Sequence, residues 1–321
     1  MAVGALWPEQ AGNLEGLLWP VLALLLYSTF TQVPLARLRQ AVSEIRFIQA
    51  AVFGNFVLIP AILWALMAFL PKDPAIRLGI VMVLVAPCTD WFITFAHLGG
   101  GDARYAISFA PISLLLQIIL LPAYLSLLLG EIAVITLARQ EVIVAFVGII
   151  ALPLLGAFIT EKWAEREARR RALIHRLAWA PVPLLSVVVF IIAATQVKLI
   201  AGSVPSLGQL APVYIGFLVM AGVLARLVAR LFRLPPSQGR VLAFSLGTRN
   251  SFVVLPLALA LPAAFDMAVV AIVFQSLVEL AGMSVYLWWV PRRLFPQPRD
   301  CAPMGASDYG ATGAHPTEEQ T

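Results

Sequence analysis

Long apolar runs separated by short polar breaks cover most of this 321-residue sequence and constrain its fold more than any other feature. The runs are about 20 residues long or longer, which is the length that a helix needs to cross a bilayer. Charged residues make up only 12% of the chain and hydrophobic residues 61%, too little charge for the surface of a water-soluble domain. Most of the chain is therefore expected to lie in lipid.

The apolar runs predict helices rather than strands. None of them shows the alternation of a barrel strand, and hydrocarbon offers unpaired backbone groups no partner. The predicted fold is an all-α polytopic membrane protein with nine transmembrane helices, which we call spans A to I. In order, the spans cover about residues 15–33, 43–70, 75–98, 104–129, 142–160, 177–199, 209–232, 241–262 and 265–290.

The basic residues between the spans predict the orientation of the chain. Most Lys and Arg residues fall in loops A/B, C/D, E/F and G/H and after span I, and the other side carries only Lys72, Arg77, Arg139 and Lys198. By the positive-inside rule, the N-terminus lies outside and the C-terminus lies in the cytoplasm of a plasma-membrane protein. The predicted parts are an extracytoplasmic N-terminus (1–14), a transmembrane transporter domain (15–290) and a disordered, polar cytoplasmic tail (291–321).

Spans C and H both carry helix-breaking residues near their middles. With an odd number of crossings, spans A to D and F to I run in opposite senses, so C pairs with H as in an inverted repeat. The predicted structural breaks are Pro87 in span C and Gly247 and Pro256 in span H. One proline kink is common in a packed helix, but two breaks at matched places favour a midplane site lined by freed backbone groups.

Four ionisable residues within the spans are candidates for a functional role: Asp90, His97, Arg249 and Glu279. A charge at the bilayer centre costs about 2.5 to 3.5 kcal/mol on insertion scales, which makes each residue a functional candidate. Asp90 and Arg249 lie at the two breaks and are predicted to be partners, either as a switch or as a static salt bridge. Glu279 has no obvious partner; it suits a proton carrier, or alternatively a carboxylate hydrogen-bonded between helices.

Several motifs resemble one family. Residues 86–89 (Ala-Pro-Cys-Thr), followed by residues 97–102 (His-Leu-Gly-Gly-Gly-Asp), resemble the fourth-helix signature of the arsenite efflux permeases of the arsenical resistance three type, in the bile acid:sodium symporter superfamily. Residues 275–279, 55–60 and 249–251 also match superfamily patterns. The resemblance covers spans A to I. The extra first helix of the family has no counterpart among these spans, so the sequence resembles a nine-helix variant.

The resemblance implies a core domain with two crossing, discontinuous helices, a panel domain, and alternating access between them. Carried over to this sequence, Cys88 is the thiol that engages arsenite, and Asn250 is part of the second discontinuous helix. We add Thr89 and Arg249 to Cys88 and Asn250 as the predicted substrate-binding set. Glu279 is a carboxylate needed for transport, and Asn55 is counted with the structural breaks. A soft thiol suits arsenic(III), and a single thiol binds it reversibly. By position alone, Cys88 would be a small buried hydrophobic residue, and the motif favours the ligand.

Two departures from the family concern coupling. Where sodium-coupled members carry a glutamate and a glutamine, this chain has Ser245 and Arg249, and their Ser-Asn pair corresponds to Phe92 and Ile93. A fixed guanidinium repels Na⁺, so proton coupling is predicted instead. Asp90, together with Arg249, is assigned to coupling; the arsenite permeases usually carry an apolar residue at the position of Asp90.

The predicted function is efflux of arsenite, with antimonite as a second candidate substrate, by proton antiport. The alternative is a sodium-independent, bile-acid-type organic anion transporter in which Arg249 holds a carboxylate and Cys88 only packs. An enzyme or a non-transporting receptor is a third, weaker interpretation: no phosphate loop, HExxH or CxxC motif occurs, and His97 is about two and a half turns from Cys88. No cofactor, resident metal or nucleic-acid partner is predicted, and the partners are substrate, protons and the bilayer. Cys88 and Cys301 make no disulfide framework.

Overall fold

The computed structural model describes residues 8–33, 45–130, 144, 146–165, 167–177, 179–195 and 204–296. The predicted tail is described only as far as residue 296. Cys301, Arg139 and Lys198 lie outside the described residues. The α-helices, numbered α1 to α13 in chain order, are Pro8–Phe30, Ile45–Phe53, Ile59–Leu66, Pro74–Val85, Trp91–Leu98, Ala103–Leu129, Leu152–Glu165, Ala168–Leu177, Pro181–Thr195, Val204–Leu231, Pro236–Gly247, Ser251–Leu259 and Asp266–Trp289. Short π-helical turns lie at Gly54–Leu58, Phe146–Ala151 and Val290–Leu294.

Several helices are long and apolar enough to cross a membrane. Within the described ranges there are five of this kind by length and composition: Ile45–Phe69, Ala103–Leu129, Val147–Ala164, Gly208–Leu231 and Ala263–Leu294. Gly16–Phe30 and Pro74–Val85 are apolar but shorter. The predicted all-α polytopic membrane fold is confirmed, and the count of nine spans stays a prediction.

Spans C and H are both interrupted. Helix α4 ends at Val85, and Ala86 is extended (φ −99°, ψ 100°) because a proline ring disfavours helical backbone in the residue before it. Helix α11 ends at Gly247 and Thr248 is extended (φ −100°, ψ 142°). The chain resumes as α5 at Trp91 and as α12 at Ser251. We call residues 86–90 and 248–250, which join these half-helices, the crossing.

Pro256 does not break a helix, contrary to the prediction. It lies inside α12, which runs from Ser251 to Leu259. A proline there removes only the hydrogen bond to the carbonyl four residues earlier, Phe252, in the first turn of this short helix. Gly247 does coincide with a helix end. A Cβ at this position would lie 2.7 Å from the Tyr286 ring of α13, so glycine permits close packing there.

The helices pack in two groups. Helix α1 lies against α7 and α9, and these three form a small group. The other group holds both pairs of half-helices: α4 packs on α13 and α6, α5 on α11 and α6, and α12 on α13, while α10 lies along α11 and α13. Among the described residues, α12 packs between the groups, where it contacts α1 and the turn at Phe146–Ala151.

One arginine ties the far ends of the half-helices together. Arg240 is 5% exposed; it donates from Nε and Nη2 to the Phe295 carbonyl (3.0 and 2.9 Å) and from Nη1 to the Gly100 carbonyl (3.0 Å). Gly100, in the turn after α5, has a φ of +71°, a conformation that favours glycine. Beside this turn, the Arg104 guanidinium pairs with Asp102 and holds the pKa of that carboxyl below its usual value.

Candidate functional site

The two interruptions are joined by a short antiparallel backbone bridge. The Cys88 N–H donates to the Thr248 carbonyl (3.2 Å) and the Asn250 N–H donates to the Ala86 carbonyl (2.8 Å), so Pro87 lies opposite Arg249. Residues opposite each other at such a position exchange no hydrogen bond. A proline therefore costs the bridge nothing, and the N–H of Arg249 is free to bond elsewhere.

The Arg249 side chain closes the ends of two half-helices. Arg249 is 3% exposed, and its Nη1 donates to the Leu84 carbonyl of α4 (3.1 Å). Its Nη2 donates to the carbonyls of Ser245 (3.2 Å) and Leu246 (2.6 Å) in the last turn of α11. The last carbonyls of a helix lack partners within it and carry partial negative charge, so a cation stabilises them.

Asn55 connects this cluster to span B. It lies on the π-helical turn Gly54–Leu58, where its Oδ1 accepts from Arg249 Nη2 (3.0 Å) and its Nδ2 donates to Ser245 Oγ (3.0 Å). The widened turn exposes a polar side chain to the interior of the bundle. Asn55, predicted as part of a structural break, therefore also holds the arginine in place.

The predicted ion pair between Asp90 and Arg249 is wrong. Within the described part of the chain the two are not within salt-bridge distance, because the guanidinium is turned toward the carbonyls of α4 and α11. Asp90 instead accepts a hydrogen bond from Cys88, with 3.2 Å between Sγ and Oδ1. The carboxylate thus interacts with the thiol and not with the cation.

This arrangement changes the expected result of charge neutralisation. If the two residues were partners, combining Asp90→Asn with Arg249→Gln would recover activity that each single substitution loses. We expect no recovery, and a double variant no more active than the more impaired single variant, because Arg249→Gln leaves helix-end carbonyls unpaired whatever residue 90 is. Solute uptake into everted vesicles, normalised to the amount of protein, measures this. Uptake by the double variant clearly above that of both single variants would instead show that Asp90 and Arg249 act as an ion pair.

Glu279 has partners that the sequence interpretation missed. Its Oε2 accepts from the Arg249 backbone N–H (2.8 Å) and from Gln275 Nε2 (2.7 Å). The Gln275 Oε1 in turn accepts from Ser251 Oγ (3.0 Å), which lies 2.8 Å from Ser276 Oγ. Both of these hydrogen bonds are accepted by Oε2, so Oε1 is the carboxylate oxygen left for a further donor.

A cavity of about 140 Å³ lies beside the crossing. Cys88 and Glu279 both line it, together with Ser251, Ser276 and the backbone-bridged Arg249. Its remaining walls are apolar and aromatic: Trp91, Phe95, Phe252, Leu255, Ile272, Val273, Leu277 and Leu280. An apolar cavity with a few convergent polar groups is the usual form of a small-molecule site.

Two of the predicted binding residues, Thr89 and Asn250, lie in the crossing and do not line the cavity. Thr89 is fully buried, and its Oγ1 accepts from Asn250 Nδ2 (3.3 Å) across the crossing. Asn250 also caps α12, accepting from the Val253 N–H (3.3 Å). Neither is among the residues that line the cavity. Their role in binding stays a prediction, and their observed contacts hold the two interruptions together.

The fold and this site define a class of protein: a polytopic membrane transporter with two interrupted helices crossing beside a small, mostly apolar cavity. The sequence model of the sodium bile acid symporter family matches residues 19–203, and the chain belongs to that family. Family members are transporters, which agrees with the prediction that the chain is not an enzyme. No curated protein matches the chain. The matched residues include the first interruption and end before the second.

Proposed function

We propose that this transporter exports arsenite, with antimonite as a second substrate, across the plasma membrane in exchange for protons. In this proposal the N-terminus lies outside and the C-terminus in the cytoplasm, in keeping with the basic loops. The observation that carries the proposal is the presence of a thiol, Cys88, and a carboxylate, Glu279, in the wall of one small cavity.

The thiol supports a soft substrate. Arsenic(III) prefers sulfur ligands, and Cys88 is 3% exposed but lines the cavity. As Sγ bonds to arsenic, one As–O bond breaks, and the thiol proton leaves with that hydroxyl group as water. Asp90, whose Oδ1 lies 3.2 Å from Sγ, is placed to accept the thiol proton on the way. The reverse exchange with water releases the substrate, so one thiol permits passage.

The size of the cavity supports a small substrate. About 140 Å³ is below the roughly 300 to 1,000 Å³ typical of sites for drug-sized ligands. A volume of this size suits a substrate as small as arsenous acid better than one as large as a bile acid. Ser251, Ser276 and Glu279 Oε1 supply polar partners for its remaining hydroxyl groups.

Glu279 supports coupling to protons. Its Oε2 is held by two N–H donors, whereas Oε1 can take either a proton or a substrate hydroxyl. When both compete for the same oxygen, protons and substrate are carried in opposite directions by alternating access.

The alternative, a sodium-independent organic anion transporter, has less support. It requires the Arg249 guanidinium to hold a carboxylate in the cavity, but the guanidinium donates to four oxygen atoms of the protein. Glu279 would also repel an anion there.

Arsenite uptake into everted membrane vesicles tests the proposal. With one proton exchanged per arsenite, a gradient of one pH unit, acid inside, supports up to about tenfold accumulation over vesicles without the protein. A protonophore should abolish it. Uptake no greater than in the control vesicles would refute arsenite as the substrate, and gradient-driven uptake of a bile acid instead would favour the alternative. Arsenite uptake that is unchanged by the protonophore would refute proton coupling.

A further inference from the structure

Four protein oxygen atoms accept hydrogen bonds from the two terminal nitrogens of the Arg249 guanidinium at the crossing. Three are the backbone carbonyls of Leu84, Ser245 and Leu246, and the fourth is Asn55 Oδ1, at distances of 2.6 to 3.2 Å. They come from three separate stretches of chain: the last turn of α4, the last turn of α11 and the π-helical turn of span B. We call these four atoms the oxygen cage.

Such a set of oxygens has the composition of a monovalent-cation site. Carbonyls at the C-terminal ends of interrupted helices carry partial negative charge, and transporters use them to coordinate small cations. Amide and carbonyl oxygens are hard ligands, which suit ions of the alkali-metal type. Leu246 and Asn55 are buried, so the cage lies away from bulk solvent.

We propose that Arg249 is a tethered cation: its guanidinium permanently fills a monovalent-cation site between the ends of α4 and α11. The crossing then needs no dissolved cation to hold its helix ends together. Shortening the side chain exposes the cage, which then accepts a free guanidinium ion and, less well, Na⁺. The inference rests on the proposed transport function only for its transport readout, since the cage is independent of the substrate.

Thermal melting of the purified protein tests the cage directly. Wild type, Arg249→Ala and Arg249→Lys are compared in 10 mM guanidinium chloride, sodium chloride or choline chloride. The wild type and Arg249→Lys, which keep a tethered cation, should melt at the same temperature in all three salts. Arg249→Ala should melt lower in choline, and guanidinium at ten times its dissociation constant should raise its melting temperature by about 3 °C.

Each result bears on the proposal. A rise specific to Na⁺ in the wild type would show that the protein binds a dissolved cation and would overturn it, whether or not Arg249→Ala can be purified. Equal melting of Arg249→Ala in all three salts would overturn it as well. If Arg249→Ala does not fold, the wild type and Arg249→Lys still test the proposal, because the melting temperature of each must be the same in all three salts.

Transport gives the second readout and separates the two proposals. Wild-type arsenite uptake should be equal in sodium and choline media. Arg249→Ala should lose uptake, and adding guanidinium should raise the uptake of this variant several-fold. If wild type carries no arsenite in either medium, the proposed substrate fails, while the melting experiment still judges the oxygen cage.

Discussion

Replacing Cys88 by serine is expected to abolish arsenite transport, with a fall in kcat/KM of about 100-fold or more. Serine has nearly the same shape and can still donate to Asp90 Oδ1, so the crossing should be undisturbed. Its hydroxyl is a hard ligand, however, and arsenic(III) gains little by exchanging one oxygen ligand for another. Resistance of arsenite-sensitive cells and initial uptake rates in everted vesicles both measure the loss.

The chain offers a matched control in its other cysteine. Cys301→Ser makes the same chemical change in the polar C-terminal segment and should leave transport within about twofold of wild type. Equal amounts of both variants in the membrane, and equal melting temperatures, exclude a folding defect. If Cys88→Ser transports normally, or if Cys301→Ser loses transport instead, the thiol in the cavity is not the arsenite ligand.

Replacing Glu279 by glutamine is expected to remove the coupling to protons. The amide keeps the volume of the carboxylate and an oxygen that can accept from the Arg249 N–H, but it does not ionise between pH 5 and 9. Accumulation driven by one pH unit should fall from as much as tenfold to about one, the level set by the substrate concentration outside. The measurement is steady-state arsenite content with and without a protonophore, across external pH.

Glu167 provides the corresponding control. It is solvent-exposed and pairs with Arg170 outside the cavity, at the start of α8. Glu167→Gln should keep both the accumulation and its sensitivity to the protonophore. Gradient-driven accumulation that persists in Glu279→Gln would place the proton carrier on another residue.

The fold class and the two interruptions could be predicted because they depend on local chemistry. Apolar runs of membrane length have few alternatives to helices, and Pro87 disfavours helical backbone at Ala86. Pro256 shows the limit of the same rule. Pro256 lies past the middle of a nine-residue helix, where it removes one hydrogen bond and leaves the helix intact, so only the three-dimensional context decides whether the chain breaks.

The partners of the buried charges could not be predicted from position in the spans alone. Asp90 and Arg249 lie at matched breaks, but a long arginine side chain reaches whichever acceptors are least satisfied, and these are the helix-end carbonyls of Leu84 and Leu246. The contact between Gln275 and Glu279 was readable, since residues four apart share a helix face. Ser251 required the fold, because it approaches Gln275 from the neighbouring helix.

The backbone bridge at the crossing also limits how the transporter can move. Two hydrogen bonds and the guanidinium fasten α4 to α11, and Arg240 fastens the turn after α5 to the first residues of α11. We expect the four half-helices, which are linked at the crossing and at the end held by Arg240, to move together as one rigid unit. We expect exposure of the cavity to alternate sides of the bilayer to come from movement along the seam where α12 meets α1. Bulky residues introduced along that seam would slow turnover without contacting the transported solute.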